Sequence, residues 1–159
     1  MGGLRIPVRK VSIMTAKEMW LLFSRKGRPS TEEYDAWAFG GEPDALARLV
    51  VEGRKTASAS IYELYEYDNE DLPEAGDYSV ILDSSDNAVC VIRNTGVRIV
   101  PFKDVDESHA RREGEGNLSL DYWREVHRGL FTTWLEEAGR KFTEETPVVL
   151  ETFEVVFRP

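Results

Sequence analysis

Val50-Val51-Glu52-Gly53-Arg54-Lys55-Thr56-Ala57-Ser58-Ala59-Ser60-Ile61, residues 50–61, carries a change of period in the middle of the chain. Upstream, Leu46, Leu49 and Val50 recur at helical spacing behind Pro43, which suits a first helical turn because its missing N–H is not needed there. Gly53 is the natural stop of that helix. From Thr56 onward, Thr56, Ser58 and Ser60 alternate with Ala57, Ala59 and Ile61, the period of a strand with small hydroxyls on one face. A glycine turn between helix and strand exposes side chains to a cleft. In a regular strand Lys55 and Ser58 would point to opposite faces, so they converge only if Lys55 still belongs to the turn. The same residues also fit a helix stop followed by a solvated lysine.

Residues 1–14 show no clear period and read as a loose N-terminus. Thr15 and Glu18 have capping-box spacing ahead of Met19, Trp20, Leu22 and Phe23, predicting a helix ended by Gly27 and Pro29. Ser30 and Glu33 repeat that spacing, predicting a second short helix through Tyr34, Ala36 and Trp37, closed by Gly40 and Gly41. Residues 15–53 thus read as helical. Residues 54–159 read as a β-core with helices. The stretch 63–77 is a strand end and an acidic loop; 78–83 and 88–93 form a hairpin around Ser84-Ser85-Asp86-Asn87; after a break at Asn94-Thr95-Gly96, 97–100 continue the sheet up to Pro101. A short helix at 107–113 and a longer one from Leu120 to about Ala138, bearing Trp123, Val126, Leu130 and Trp134, precede a strand at 148–157. That last segment is rich in β-branched and aromatic residues and is predicted to lie centrally in the sheet. The fold class is α+β, in one domain over residues 1–159.

A chain of 159 residues is long enough for one substantial core. Its hydrophobic share of 42% and charged share of 31% fit a cooperative globular fold. A single cysteine, Cys90, and no early apolar run point to a reducing cytoplasm and no membrane. The formal net charge of -9, from 20 basic and 29 acidic residues, repels phosphate backbones and excludes an extended DNA groove. A nucleoside-like small molecule, or a short RNA held by local basic residues such as Arg54, Arg98, Lys103, Arg111 and Arg112, remains compatible.

His109-Ala110-Arg111-Arg112-Glu113-Gly114 is a second cluster, with His109 and Glu113 as i,i+4 neighbours. Read alone, it fits a solvated helix end. The remaining metal-ligand types, His127 and Cys90, are scattered, so neither a metal nor another cofactor is expected. Gly114-Glu115-Gly116 lacks the third glycine and preceding strand of a dinucleotide loop. Among the aromatic residues, Trp20, Trp123 and Trp134 read as packing, whereas Tyr34 and Trp37 neighbour glycine turns and are candidates for stacking a ligand. Glu151 shares a strand face with Val149, Phe153, Val155 and Phe157, where a carboxylate needs a partner, water or a ligand.

Together these pieces resemble the ASCH domain family, within the PUA-like superfamily. Gly53-Arg54-Lys55-Thr56 with Ser58 looks like its G-x-K-x-[T/S] turn, and the run from Val97 through Phe102, His109, Ala110 and Glu113 resembles its following strand and acidic helix. Phe39-Gly40, Thr56-Ala57-Ser58, Pro101-Phe102, Glu113-Gly114-Glu115-Gly116 and Tyr122-Trp123 resemble a stand-alone bacterial subfamily of unknown function. The resemblance implies a mainly antiparallel β-barrel with helices packed outside, and a cleft for RNA or nucleotide-like ligands. Some small members hydrolyse the amide of N4-acetylcytidine with a Lys, a Thr and a Glu, and a ribonuclease activity is described for others. Carried over, the Lys is Lys55, the Glu is Glu113, and Ser58 stands where those members have Thr. The N-terminal helices and the long helix after residue 118 depart from those members.

The expectation is a cleft in which Lys55, Ser58 and Glu113 are catalytic and Arg54, Thr56, Tyr34, Trp37 and Glu151 bind ligand, possible chemistry being metal-independent amide hydrolysis. Lys55 with a lowered pKa would accept the Ser58 proton, yet Glu113 nearby would favour the charged amine and oppose that role. A charged Lys55 would instead bind a carbonyl or phosphate oxygen, making the domain a non-catalytic RNA- or small-ligand-binding module. Single substitutions at Lys55 or Glu113 are expected to cost function, spare the fold and combine non-additively.

Overall fold

The computed structural model describes residues 13–159. Residues 1–12 of the predicted loose terminus lie outside these. Met14 is not loose: its carbonyl accepts from the Ala88 N–H at 2.8 Å. Helix α1 (Ala16–Gly27) starts as predicted, with Thr15 accepting from the Glu18 N–H, and it buries Met19, Trp20 and Phe23.

The predicted helix over residues 30–41 is instead strand β1 (Asp35–Ala38), paired in parallel with β3 (Tyr78–Leu82). The capping spacing misled because the Glu33 N–H donates to Thr31 Oγ1 in a local turn. Pairing along β3 and packing of Trp37 against Phe39 and its apolar neighbours then outweigh a weak local helix preference. Helix α2 (Pro43–Val51), strand β2 (Ala57–Ile61), α4 (Glu107–Glu113), α5 (Leu120–Glu137) and β5 (Pro147–Phe157) follow the sequence reading, whereas strand β4 (Ala88–Pro101) runs unbroken through Asn94-Thr95-Gly96, where a bulge takes the place of the expected break, and leads into a single 3₁₀ turn at Phe102–Asp104. The predicted strand end after β2 is a short helix, α3 (Tyr62–Tyr67), whose Leu64 packs into the core. On α5 the buried stripe is Trp123, His127, Phe131 and Leu135, offset from the predicted one because His127 turns inward.

The five strands run in the order β1-β3-β4-β5-β2, antiparallel except for the β1–β3 pair. β5 is therefore interior, one place from the edge strand β2. Register shifts in β4 at Val91/Ile92 and at Asn94/Gly96 bend the long strands, and the mixed sheet curves into a half-barrel. The fold is thus α+β and barrel-like.

What covers each face decides where a site can form. On one face α1 packs over Val80 and Val91, and α5 packs over Ile61, Val148 and Leu150. On the other, α2 covers the apolar patch of Ile81, Cys90, Ile92 and Phe153. Beyond that patch the same face turns polar, with Ser79, Asn94, Glu151, Ser58 and Ser60, and these line an open cleft. No helix among the described residues is long and apolar enough to cross a membrane.

Candidate functional site

Lys55 belongs to the turn and not to β2. Its N–H and that of Arg54 donate back to the Leu49 carbonyl at 3.1 and 2.9 Å, and Gly53 at φ 75° makes that reversal possible. The C-terminal end of α4 docks alongside, with the Thr56 N–H donating to the Arg112 carbonyl at 2.7 Å. Two segments nearly sixty residues apart thereby bring Lys55 Nζ to 3.3 Å from Glu113 Oε1, both side chains 2% exposed.

All three ammonium protons find acceptors: Glu113 Oε1, the Glu113 carbonyl at 3.4 Å and Glu115 Oε2 at 3.2 Å. Glu113 is equally satisfied. Its Oε2 receives His109 Nε2 at 2.6 Å and the Trp123 indole N–H, and His127 Nε2 lies 3.5 Å from Oε1. The His127 Nδ1–H donates to the Trp123 carbonyl at 2.8 Å, which aims the ring. The Phe39 ring, 5.4 Å from Nζ, closes the cluster on the side where that same ring lines the cleft. His109 and Glu113 are therefore interior partners and not a solvated helix end, while Arg111 and Arg112 do face water.

Burial alone would raise the Glu113 pKa, but the Lys55 charge and the hydrogen bonds from His109 and His127 prevail and hold it well below the usual carboxylate value of 4.5. The unfolded chain therefore takes up this proton first as pH falls. The stabilisation is complete above about pH 4.5 and is lost progressively below it, through the depressed folded-state value. Acid titration followed by tryptophan fluorescence should show stability falling in that window, and Glu113→Gln should flatten the slope there. An unchanged slope would mean that other carboxylates govern acid unfolding.

Ligand atoms of Glu113, Glu115 and His127 lie within 4.8 Å of one another, the one grouping among the described residues with metal-site spacing. The Lys55 ammonium already contacts both carboxylates and supplies the positive charge there. His127, scattered in the sequence, is brought to this cluster by the helical turn separating it from Trp123.

Ser58 is elsewhere. It pairs with Glu151 across β2 and β5, and both line a cleft of about 1360 Å³ between the edge strands β1 and β2. Tyr34 and Trp37 line it as well, while Tyr34 also stacks on Trp20 at 4.6 Å. Thr56 instead accompanies Lys55 along a separate cavity of about 590 Å³, and Arg54 is exposed beside Glu52. The expected ligand residues thus divide between two places, with Lys55 and Glu113 outside the lining of the larger cleft.

Burial, followed by the charge of Asp77, pushes Glu151 up to about 7. Tyr65 on α3, hydrogen-bonded to Ser60 at 2.7 Å, is also raised, chiefly by burial. Sequence reading missed Ser79, Asn94, Tyr65 and Trp134 as cleft residues. Asn94 was hidden inside an apparent Asn-Thr-Gly turn; its strand-face spacing from Cys90 and Ile92 was the available signal. The bulge that follows Asn94 is held by the Gly76 N–H to its carbonyl and by its own N–H to Asp77, both at 2.8 Å.

The ASCH domain model matches residues 35–157. The chain belongs to the ASCH domain family. An ASCH domain from Lactobacillus crispatus superposes with a TM-score of 0.81 at 30% identity, covering 89% of this chain and 91% of that one. A protein from Enterococcus faecalis superposes with a TM-score of 0.80 at 36% identity, covering 88% and 86%. No curated protein matches the chain significantly.

Proposed function

We propose that this ASCH domain binds a nucleoside-sized ligand in the cleft between β1 and β2, with Ser58, Asn94 and Glu151 reading polar groups and Trp37 and Tyr34 offering ring surfaces. The observation that carries this reading is the uncovered polar half of the α2 face, set beside aromatic side chains. Ligand pockets typically enclose about 300–1,000 Å³. The cleft has room for a base and sugar with ordered water.

Binding without turnover is favoured over amide hydrolysis. A lysine whose three protons are all accepted has no lone pair to offer Ser58, and Ser58 faces Glu151 across the strand pair instead. Hydrolysis would need Glu115 to release Lys55 and Ser58 to be reached by it.

Titration calorimetry against cytidine, adenosine, uridine and N4-acetylcytidine tests the binding. Trp37→Ala should weaken it by about tenfold or more, the usual worth of one base stack. No binding by any of the four would overturn the reading. Incubating N4-acetylcytidine with concentrated protein should yield no cytidine. Product formation that vanishes in Ser58→Ala would reinstate the hydrolase.

A further inference from the structure

The basic residues that the sequence offered for holding an RNA end do not reach the cleft. Among the described residues, no lysine, arginine or histidine lines it, whereas seven carboxylate residues do. Glu33 stands before β1 and Asp35 on it, Glu70, Asp71, Glu74 and Asp77 on the loop after α3, and Glu151 on β5. Two further polar side chains on the floor, Asn94 at 7% exposure and Ser79 at 9%, make no side-chain hydrogen bond within the described residues. Their polar atoms are not among the fully enclosed unpaired ones, so they open to the cleft. The bulge in β4 aims Asn94 there while its backbone is held by Gly76 and Asp77.

We infer that the cleft selects an unphosphorylated heterocycle bearing an exocyclic amine, such as the base of a free cytidine or adenosine, and discriminates against nucleotides and RNA backbone. This rests on the nucleoside reading above and narrows it. A phosphate entering among these carboxylates meets no cation of the described residues, is repelled, and gains no charge-assisted hydrogen bond from them. An exocyclic amine donates to a carboxylate, the pairing by which Glu or Asp recognises the amino group of cytosine, and Asn presents the donor and acceptor that match adenine or cytosine edges. Glu151 sits between Ser58 and Val97 across the sheet, at a position where an amine could reach it together with Ser58.

Glu151 is acceptor-only when ionised, and its raised pKa of about 7 makes that state pH-dependent near neutrality. The charged and titratable groups that act on it are Asp77 on the loop after α3 and Tyr65 on α3, and neither supplies a positive charge. Binding of an amine-bearing base therefore strengthens as pH rises through about 7, because ionised Glu151 gains the donor that its surroundings lack.

Calorimetry with the whole chain tests this with cytidine, uridine, cytidine 5′-monophosphate and a short cytidine-rich RNA, at low and moderate salt. Cytidine should bind about tenfold more tightly than either uridine or the monophosphate, and added salt should narrow the gap to the monophosphate by screening repulsion. Cytidine affinity should rise between about pH 6 and 8, and Glu151→Gln should remove that rise. Monophosphate or RNA binding as tight as cytidine would overturn the inference and leave the nucleoside reading standing. So would equal affinity for uridine. Failure of every probe would overturn the nucleoside reading itself.

Discussion

Lys55→Met is expected to lower stability by about 3–5 kcal/mol, the cost of leaving one member of a buried ion pair without its partner. For a chain of this length that corresponds to a fall of roughly 6–20 °C in Tm. The substitution leaves the Glu113 carboxylate facing only His109, His127 and Trp123, and leaves Glu115 without its cation. Glu113→Gln should be similarly costly, since the Lys55 ammonium would keep Glu115 alone as a charged partner. The double variant Lys55→Met with Glu113→Gln should be more stable than the sum of the two losses allows, by about 1–3 kcal/mol, because no unpaired charge remains on the fully buried Glu113 side chain, whose amide oxygen still accepts from His109, and the carboxylate left without its cation is the partly exposed Glu115. Thermal and urea unfolding of the four proteins would measure this. Additive losses, or singles that melt like the parent, would show that the pair is loosely coupled to the fold. Sequence reasoning expected these singles to spare the fold; complete burial of both groups reverses that expectation.

Gly114→Ala should be the most damaging change of a single small residue. Gly114 ends α4 at φ 72°, a left-handed conformation that costs a residue with a Cβ about 1 kcal/mol. Space is the larger problem. An added Cβ would collide with the Arg54 carbonyl, which is backbone and cannot rotate away. Relief requires α4 to draw back from the Thr56 N–H, breaking the contact that seats Glu113 against Lys55. The expected loss is about 3 kcal/mol or more. Gly53→Ala is the control: φ is again positive, at 75°, but nothing lies within 4 Å of its added Cβ, so only the conformational cost of about 1 kcal/mol applies. Equal losses at the two positions would mean that close approach to Arg54 is unimportant.

Much of the secondary structure was legible where local chemistry and tertiary packing agree. The Thr15 cap, the Gly53 stop, the Ser84-Ser85-Asp86-Asn87 hairpin and the β5 segment each had a mechanism visible in a few consecutive residues. The segment at 30–41 was not legible, because its capping spacing was satisfied locally by Thr31 while β3, over forty residues away, supplied the pairing. The stripe on α5 was read one residue out of phase because histidine does not count as apolar, although His127 is buried against Glu113.

Residue types and spacing alone determined the helix-to-strand turn at Gly53, the hydroxyl face of β2, the His109–Glu113 pairing along one helix and the resemblance to ASCH domains. That resemblance, carried over residue by residue, then named Lys55 and Glu113 together. Only the tertiary structure decided that this pair is buried and fully hydrogen-bonded, and that Ser58 looks across to Glu151 in an acidic cleft that none of the described basic residues lines. The physical reason is that burial and charge environment are set by which helix covers which part of a curved sheet. α2 stops short of Ser79, Asn94 and Glu151, and no pattern local to those three residues records where a helix from elsewhere in the chain ends.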